Sequence, residues 1–297
     1  MFEGIITALV TPFNRDFSLN LEILPMLIEY QIESGIEAIC VAAGAGEYLT
    51  LRPEERKDLI QHSDELIQGR IPLVAGILEI ETGSAVTASK AAREAGAQGL
   101  LVLNPLYFSP SSDGLFEYFR AVAEEVDLPI IVYNNPGRTG YNFDLPMLER
   151  LVNIPQVVAL KECDRDLGRV ARKIDLLGSR LTFLSGDDDL CLQSFAMGAK
   201  GAMMAASNLV PSWAVELLKA TQNNKWFEAR ALFFRLLKIV TLYEGPDHPG
   251  PLKQIMDQAG FPVGIGRPPL HQVNNERLAH IKRVLIELGL LNDEQQI

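Results

Sequence analysis

Cysteine and histidine are scarce in this sequence. The three cysteines, Cys40, Cys163 and Cys191, are an odd number with no metal-like or redox-like spacing. Reduced thiols and a cytoplasmic setting follow as the expectation. The four histidines, His62, His248, His271 and His280, form no H-x-x-x-H or H-E-x-x-H pattern. A metal-dependent hydrolase or aldolase would draw on such a cluster, so no metal is expected. Dense Lys/Arg runs are also missing, and the formal net charge is −11. Nucleic acid is therefore not an expected partner, because nothing would neutralise its phosphates. The acidic balance does not exclude a small anionic substrate, since one Arg binds a carboxylate locally. No apolar run reaches the ~18 residues of a membrane-spanning helix, so no membrane partner is expected. The opening stretch MFEGIITALVTPF lacks a basic segment and a small-residue cleavage site. It reads as a first strand and not as a signal peptide.

What is present is a long alternation. Of 297 residues, 47% are hydrophobic, enough for one large core. Apolar runs predict strands at Gly4–Val10, Glu37–Ala43, Pro72–Gly76, Gly99–Leu103, Pro129–Asn134, Gln156–Lys161, Leu181–Ser185 and Gly201–Met204. Several are apolar without alternation (IIVYN, VVALK), as expected when both faces are buried. Helices are predicted near 20–34, 53–68, 83–95, 114–126, 144–153, 166–177, 187–198 and 210–221. Caps agree: Asp144 precedes Leu145-Pro146, and Asp164 and Asp166 precede the helix after Lys161. Eight strands each followed by a helix predict an α/β fold of the TIM (β/α)8 barrel type. A doubly wound open sheet would want a Gly-rich phosphate loop after strand one, where Thr11-Pro12-Phe13 stands instead. Three further helices are expected near 225–243, 250–260 and 274–290, joined by a Gly/Pro-rich link over Glu244–Pro251. The expected organisation is a catalytic barrel over 1–223 and a C-terminal helical appendage over 224–297, packed on the barrel.

Barrel chemistry sits at the C-terminal ends of the strands. Strand six runs through Val157–Leu160 into Lys161. An amine in apolar surroundings has a lowered pKa and attacks a ketone to form an imine. The competing reading is a strand-end lysine paired with Glu162 or Asp187. Tyr133, on the neighbouring strand, would shuttle protons, or would be a core aromatic with its hydroxyl at the rim. Arg138 suits a substrate carboxylate, or is a solvated loop arginine. Gly44-Ala45-Gly46-Glu47 offers free backbone N–H groups for a carboxylate, or is an ordinary turn. His248 reads as a loop or cap residue, and Met203 and Met204 as barrel core.

In order and spacing, these pieces resemble the dihydrodipicolinate synthase / N-acetylneuraminate lyase family of class I aldolases. The resemblance runs from Gly4 to about Leu291. It rests on Thr11-Pro12-Phe13, Gly44–Glu47, Asn104-Pro105-Leu106-Tyr107, Tyr133-Asn134-Asn135-Pro136, Leu160-Lys161-Glu162 and Ser185-Gly186-Asp187-Asp188. It implies Lys161 as the Schiff-base lysine and Tyr133 as the proton relay. It implies a carboxylate site at the backbone of Gly44 and Ala45, and pocket closure near Met203. Arg138 matches the position that holds the second substrate's carboxylate in synthases. Tyr107 matches a tyrosine inserted across a subunit interface toward the neighbouring site. No cofactor is implied, and a homotetramer or dimer is.

The chain departs from the synthase pattern at Gly44 and Ala45, where two hydroxyl residues are usual. That departure points to a lyase, aldolase or dehydratase, acting on pyruvate or a 2-oxo-3-deoxy sugar acid. The alternative is an authentic 4-hydroxy-tetrahydrodipicolinate synthase condensing pyruvate with aspartate semialdehyde, for which Arg138 and Tyr107 argue. Two readings of other classes are a non-catalytic 2-oxo-acid-binding protein, which retention of Lys161 and Tyr133 disfavours, and a metal-dependent hydrolase, which the scattered histidines disfavour. Tyr48, Leu49, Pro53, Arg56, Ile80 and Leu106 occupy the positions where lysine-regulated synthases carry smaller or more polar groups, so no lysine inhibition is expected.

Overall fold

A computed structural model describes residues 2–108 and 110–291. The last six residues of the expected C-terminal segment, 292–297, lie outside the described residues. Eight parallel strands close on themselves in sequence order: β1 Gly4–Ala8, β2 Ala38–Val41, β3 Leu73–Ile77, β4 Gly99–Leu103, β5 Ile130–Asn134, β6 Val157–Glu162, β7 Thr182–Ser185 and β8 Gly201–Met204. The TIM barrel inferred from the alternation is therefore the fold. Every residue of β1 to β5 and of β8 is buried. This matches strands whose inner face fills the barrel and whose outer face meets helices.

The surrounding helices are α1 Leu24–Glu33, α2 Pro53–Ile67, α3 Thr82–Glu94, α4 Ser112–Val126, α5 Pro136–Thr139, α6 Leu145–Leu151, α7 Leu167–Leu177, α8 Cys191–Ala196 and α9 Pro211–Gln222. Capping residues set several starts. Asp144 accepts from the Met147 amide at 3.0 Å, and Asp166 from the Arg169 amide at 3.0 Å. The one-turn helix α5, which periodicity did not foretell, turns the chain so that Arg138 returns over the barrel mouth.

After α9 come α10 Trp226–Tyr243, α11 Gly250–Gln258 and α12 Asn275–Glu287. α10 packs along α9 and reaches the turn after β7. Among the described residues, no helix is long and apolar enough to cross a membrane. No group of three or more His, Cys, Asp or Glu residues that could hold a metal ion occurs among them.

Candidate active site

The register of the barrel decides which side chains meet. Tyr133 pairs with Lys161 and Asn134 with Glu162 across β5 and β6. Side chains alternate along a strand, so each pair shares a face. Tyr133 and Lys161 point into the barrel mouth, with the Lys161 Nζ 4.3 Å from the Tyr133 ring centre. Asn134 and Glu162 point outward, where the Asn134 amide donates to Glu162.

The outward network keeps Lys161 free. Glu162 receives the Lys173 Nζ of α7 at 2.8 Å, and both side chains are buried. Asp187 receives Arg165 at 3.3 Å. The two carboxylates named as rival partners for Lys161 are thus engaged elsewhere. Among the described residues, no ion pair involves Lys161, which argues against the strand-end ion-pair reading.

One cavity of about 530 Å³ opens at this mouth. Lys161, Tyr133, Gly44, Ala45, Arg138 and Met203 all line it. Tyr107 is not among the lining residues of its own chain. It follows β4 at 90% exposure, its ring 5.5 Å from that of Phe108.

Gly44 and Gly186 show opposite constraints. A Cβ on Gly186 would lie 2.3 Å from the Cys163 Sγ, so no larger residue fits there. A Cβ on Gly44 would meet nothing within 4 Å. The lack of a side chain at Gly44 is therefore not imposed by crowding, and it leaves open volume beside Lys161.

The turn is held from behind by a buried charge network. Glu47 receives the Lys253 Nζ at 3.0 Å and the Arg267 amide at 2.9 Å through its two oxygens. Lys253 also donates to the Ile265 carbonyl at 3.0 Å, and its side chain is fully buried. Burial pushes Lys253 down to about 8, with Glu47 opposing. Arg267 in turn pairs with Glu55 at 2.6 Å. The C-terminal segment therefore reaches under the turn between β2 and α2.

Two features were not legible as site features in the sequence. The Asn135 amide donates to the Tyr133 hydroxyl oxygen at 2.9 Å. That bond orients the phenol and leaves its own proton free for the pocket. The end of α10 and the link to α11 form a wall of the cavity, bringing Tyr243, Glu244, Gly245 and His248 to it. His248 is a loop residue, as the sequence suggests, and it also lines the same cavity as Lys161.

The charge state of Lys161 also differs from the sequence expectation. Burial pulls the amine down, but Tyr133, Cys163, Cys40 and Asp188 push it up, and the balance lies above the ordinary lysine value. Apolar strand residues alone predicted a lowered value. Tyr133, Cys163, Cys40 and Asp188 oppose that lowering, and Asp188, the one carboxylate among them, favours the ammonium form. Burial raises the Tyr133 phenol, with Lys161 opposing, so the phenol keeps its proton at neutral pH. Asp188 is raised by burial as well, although it accepts from the Tyr243 hydroxyl and from the amides of Ala205 and Ala206. Such a set can bind a 2-oxo acid, exchange protons with it and offer it an amine once the ammonium is deprotonated.

Comparison with known proteins places this geometry. Residues 1–288 match the model of the dihydrodipicolinate synthetase family. A 4-hydroxy-tetrahydrodipicolinate synthase of Persephonella marina is 35% identical over 98% of this chain and 100% of its own length. The synthase of Syntrophotalea carbinolica is 33% identical over 98% and 99%. Among solved structures, the dihydrodipicolinate synthase of Aquifex aeolicus superimposes with a TM-score of 0.94 at 33% identity, over 98% of this chain and 100% of that one. A dihydrodipicolinate synthase of Acinetobacter baumannii, solved in complex with pyruvate, gives a TM-score of 0.94 at 29% identity over the same shares.

Proposed function

This chain belongs to the dihydrodipicolinate synthetase family of lyases, and from that premise we propose that it condenses pyruvate with a short aldehyde acid through a Schiff base on Lys161. The observation that carries the reading is the convergence of Lys161, Tyr133, the Gly44–Ala45 turn and Arg138 on one cavity.

In the proposed cycle, backbone N–H groups of the turn, with Met203 closing the pocket, hold the pyruvate carboxylate. Lys161 gives up its ammonium proton and attacks the ketone carbon. Tyr133 carries protons to the departing oxygen, which leaves as water, and the iminium forms. Loss of a methyl proton gives the enamine, whose carbon attacks the aldehyde. Water then cleaves the imine, returning Lys161 and releasing the product. Arg138 would grip the carboxylate of the aldehyde acid with its planar fork. The relatives are named 4-hydroxy-tetrahydrodipicolinate synthases, so aspartate semialdehyde is the acceptor we assign first.

The sequence departure at Gly44 and Ala45 points first to an aldolase or dehydratase acting on pyruvate or a 2-oxo-3-deoxy sugar acid, and full-length similarity to synthases favours the synthase alternative instead. The sugar-acid lyase or dehydratase stands as a second reading, favoured by the open volume at Gly44. The C-terminal segment 224–297 is proposed to work within the barrel's catalytic unit, because its link walls the cavity and Lys253 braces the turn. A homo-oligomer is proposed as the assembly, dimer or tetramer, with the exposed Tyr107 reaching toward a neighbouring subunit.

Two assays separate the readings. Pyruvate and aspartate semialdehyde are mixed with the protein, and pyruvate consumption is followed. The reverse assay offers 2-oxo-3-deoxy sugar acids and follows pyruvate or water release. Consumption in the first assay alone supports the synthase. Activity in the second alone overturns it in favour of the sugar-acid reading.

A further inference from the structure

Among the described residues, the Tyr133 hydroxyl has one hydrogen-bond partner, the Asn135 side-chain amide at 2.9 Å. The cavity offers no substitute hydroxyl. No serine or threonine lines it, and its other phenol, Tyr243, is bonded to Asp188.

The local structure shows that this side chain has been diverted. Asn135 is the N-cap residue of α5. An asparagine there ordinarily accepts from the first amides of the helix. The Asn135 side chain makes no such bond. Its backbone carbonyl serves the turn instead, accepting from the Arg138 and Thr139 amides at 3.0 Å each and from the Thr139 hydroxyl at 3.1 Å. Pro136 follows with its φ fixed by the ring. The backbone is thus pinned, and the amide is turned into the cavity at the expense of a stabilising cap. Natural chains break a local rule of this kind chiefly at functional sites.

The relay has a step at which such a donor matters. Tyr133 gives its proton to the hydroxyl of the amine adduct, the C–O bond breaks and water leaves. The products are an iminium and a phenolate. The phenolate then recovers a proton from the methyl carbon as the enamine forms. A buried phenolate is costly: burial raises the Tyr133 phenol, with Lys161 and the Asn135 bond among the groups opposing. A hydrogen bond donated to an ionised oxygen is stronger than one to a neutral oxygen.

We propose that Asn135 is a positioning residue of the proton relay, its side-chain N–H stabilising the phenolate that Tyr133 becomes each time it gives up its proton. The inference rests on the Schiff-base reading of Lys161.

The test is a double-mutant cycle on the rate at which pyruvate becomes trappable by borohydride on Lys161, at saturating pyruvate. Asn135→Leu removes the donor at nearly the same size, and Asn135→Ala serves in the cycle if the leucine variant does not fold. Against the wild-type Tyr133, Asn135→Leu should slow the rate roughly 10- to 100-fold, the range for one hydrogen bond to a charged group. Against Tyr133→Phe, which has no hydroxyl, the same change should cost less than about 2-fold. Asn135→Asp keeps the shape but offers an acceptor where the donor stood, and it should slow the rate at least tenfold. Circular dichroism should show all of these variants folded. An equal slowing in both Tyr133 backgrounds would mean that Asn135 supports the turn and not the phenol, and would overturn the proposal. So would an Asn135→Leu or Asn135→Asp protein with the wild-type rate. A folded wild type that traps no pyruvate would overturn the Schiff-base reading, and this role with it.

Discussion

Replacing Lys253 with Met tests whether the C-terminal segment braces the carboxylate turn. The Lys253 Nζ lies 3.0 Å from Glu47 Oε1, with side-chain exposures of 0% and 1%. The Lys253→Met change leaves a carboxylate buried without its cation. Breaking a buried pair in this way costs about 3–5 kcal/mol, because the remaining charge stays desolvated. With 297 residues and an unfolding entropy of about 2.1 cal/mol/K per residue, the melting temperature should fall by about 5–8 °C. Thermal unfolding followed by circular dichroism measures it. The double variant Glu47→Gln/Lys253→Met removes the stranded charge while an amide oxygen still accepts from Arg267. It should melt above the single variant. The pyruvate-trapping rate of Lys253→Met should fall too, since Glu47 positions the turn. A melting shift under about 2 °C, or a double variant no better than the single, would refute the bracing role.

Three further outcomes are expected. Tyr133→Phe should lower turnover by roughly 10²–10⁴, the range for lost general acid–base help, and an unchanged rate removes Tyr133 from the relay. The pKa of Lys161 is raised, so its amine fraction grows about tenfold per pH unit through neutrality and stays incomplete below the raised value. The rate of pyruvate adduct formation should therefore climb steadily from pH 6 to 9, whereas a plateau from about pH 7 would show a lowered lysine. Lysine should not inhibit, because Tyr48, Arg56 and Glu79 already bond to one another, at 2.6 Å for Tyr48 to Glu79 and for Arg56 to Glu79. A saturating lysine inhibition curve would contradict that reading.

The architecture was readable because the barrel's strands are short apolar runs and its helices carry caps, and both signals are local. The Tyr133–Lys161 encounter was readable for the same reason, since consecutive strands of a barrel are neighbours. Three things were not. His248 reaches the cavity through the path of a Gly/Pro-rich link, which no periodicity describes. Asn135 stood inside a quoted motif, yet its bond to Tyr133 depends on the turn made by α5. The pKa direction of Lys161 depends on Tyr133, Cys163, Cys40 and Asp188, which stand on or just after four different strands. A strand pattern reports burial, and burial alone pulls the amine the other way.

The central claim is covalent catalysis by Lys161. Incubation of the protein with pyruvate and borohydride, followed by peptide mass spectrometry, tests it most directly. The account predicts a single reduced adduct on Lys161, lost in Lys161→Ala while the fold persists. A folded wild-type protein that yields no adduct, or one on another lysine, would contradict it.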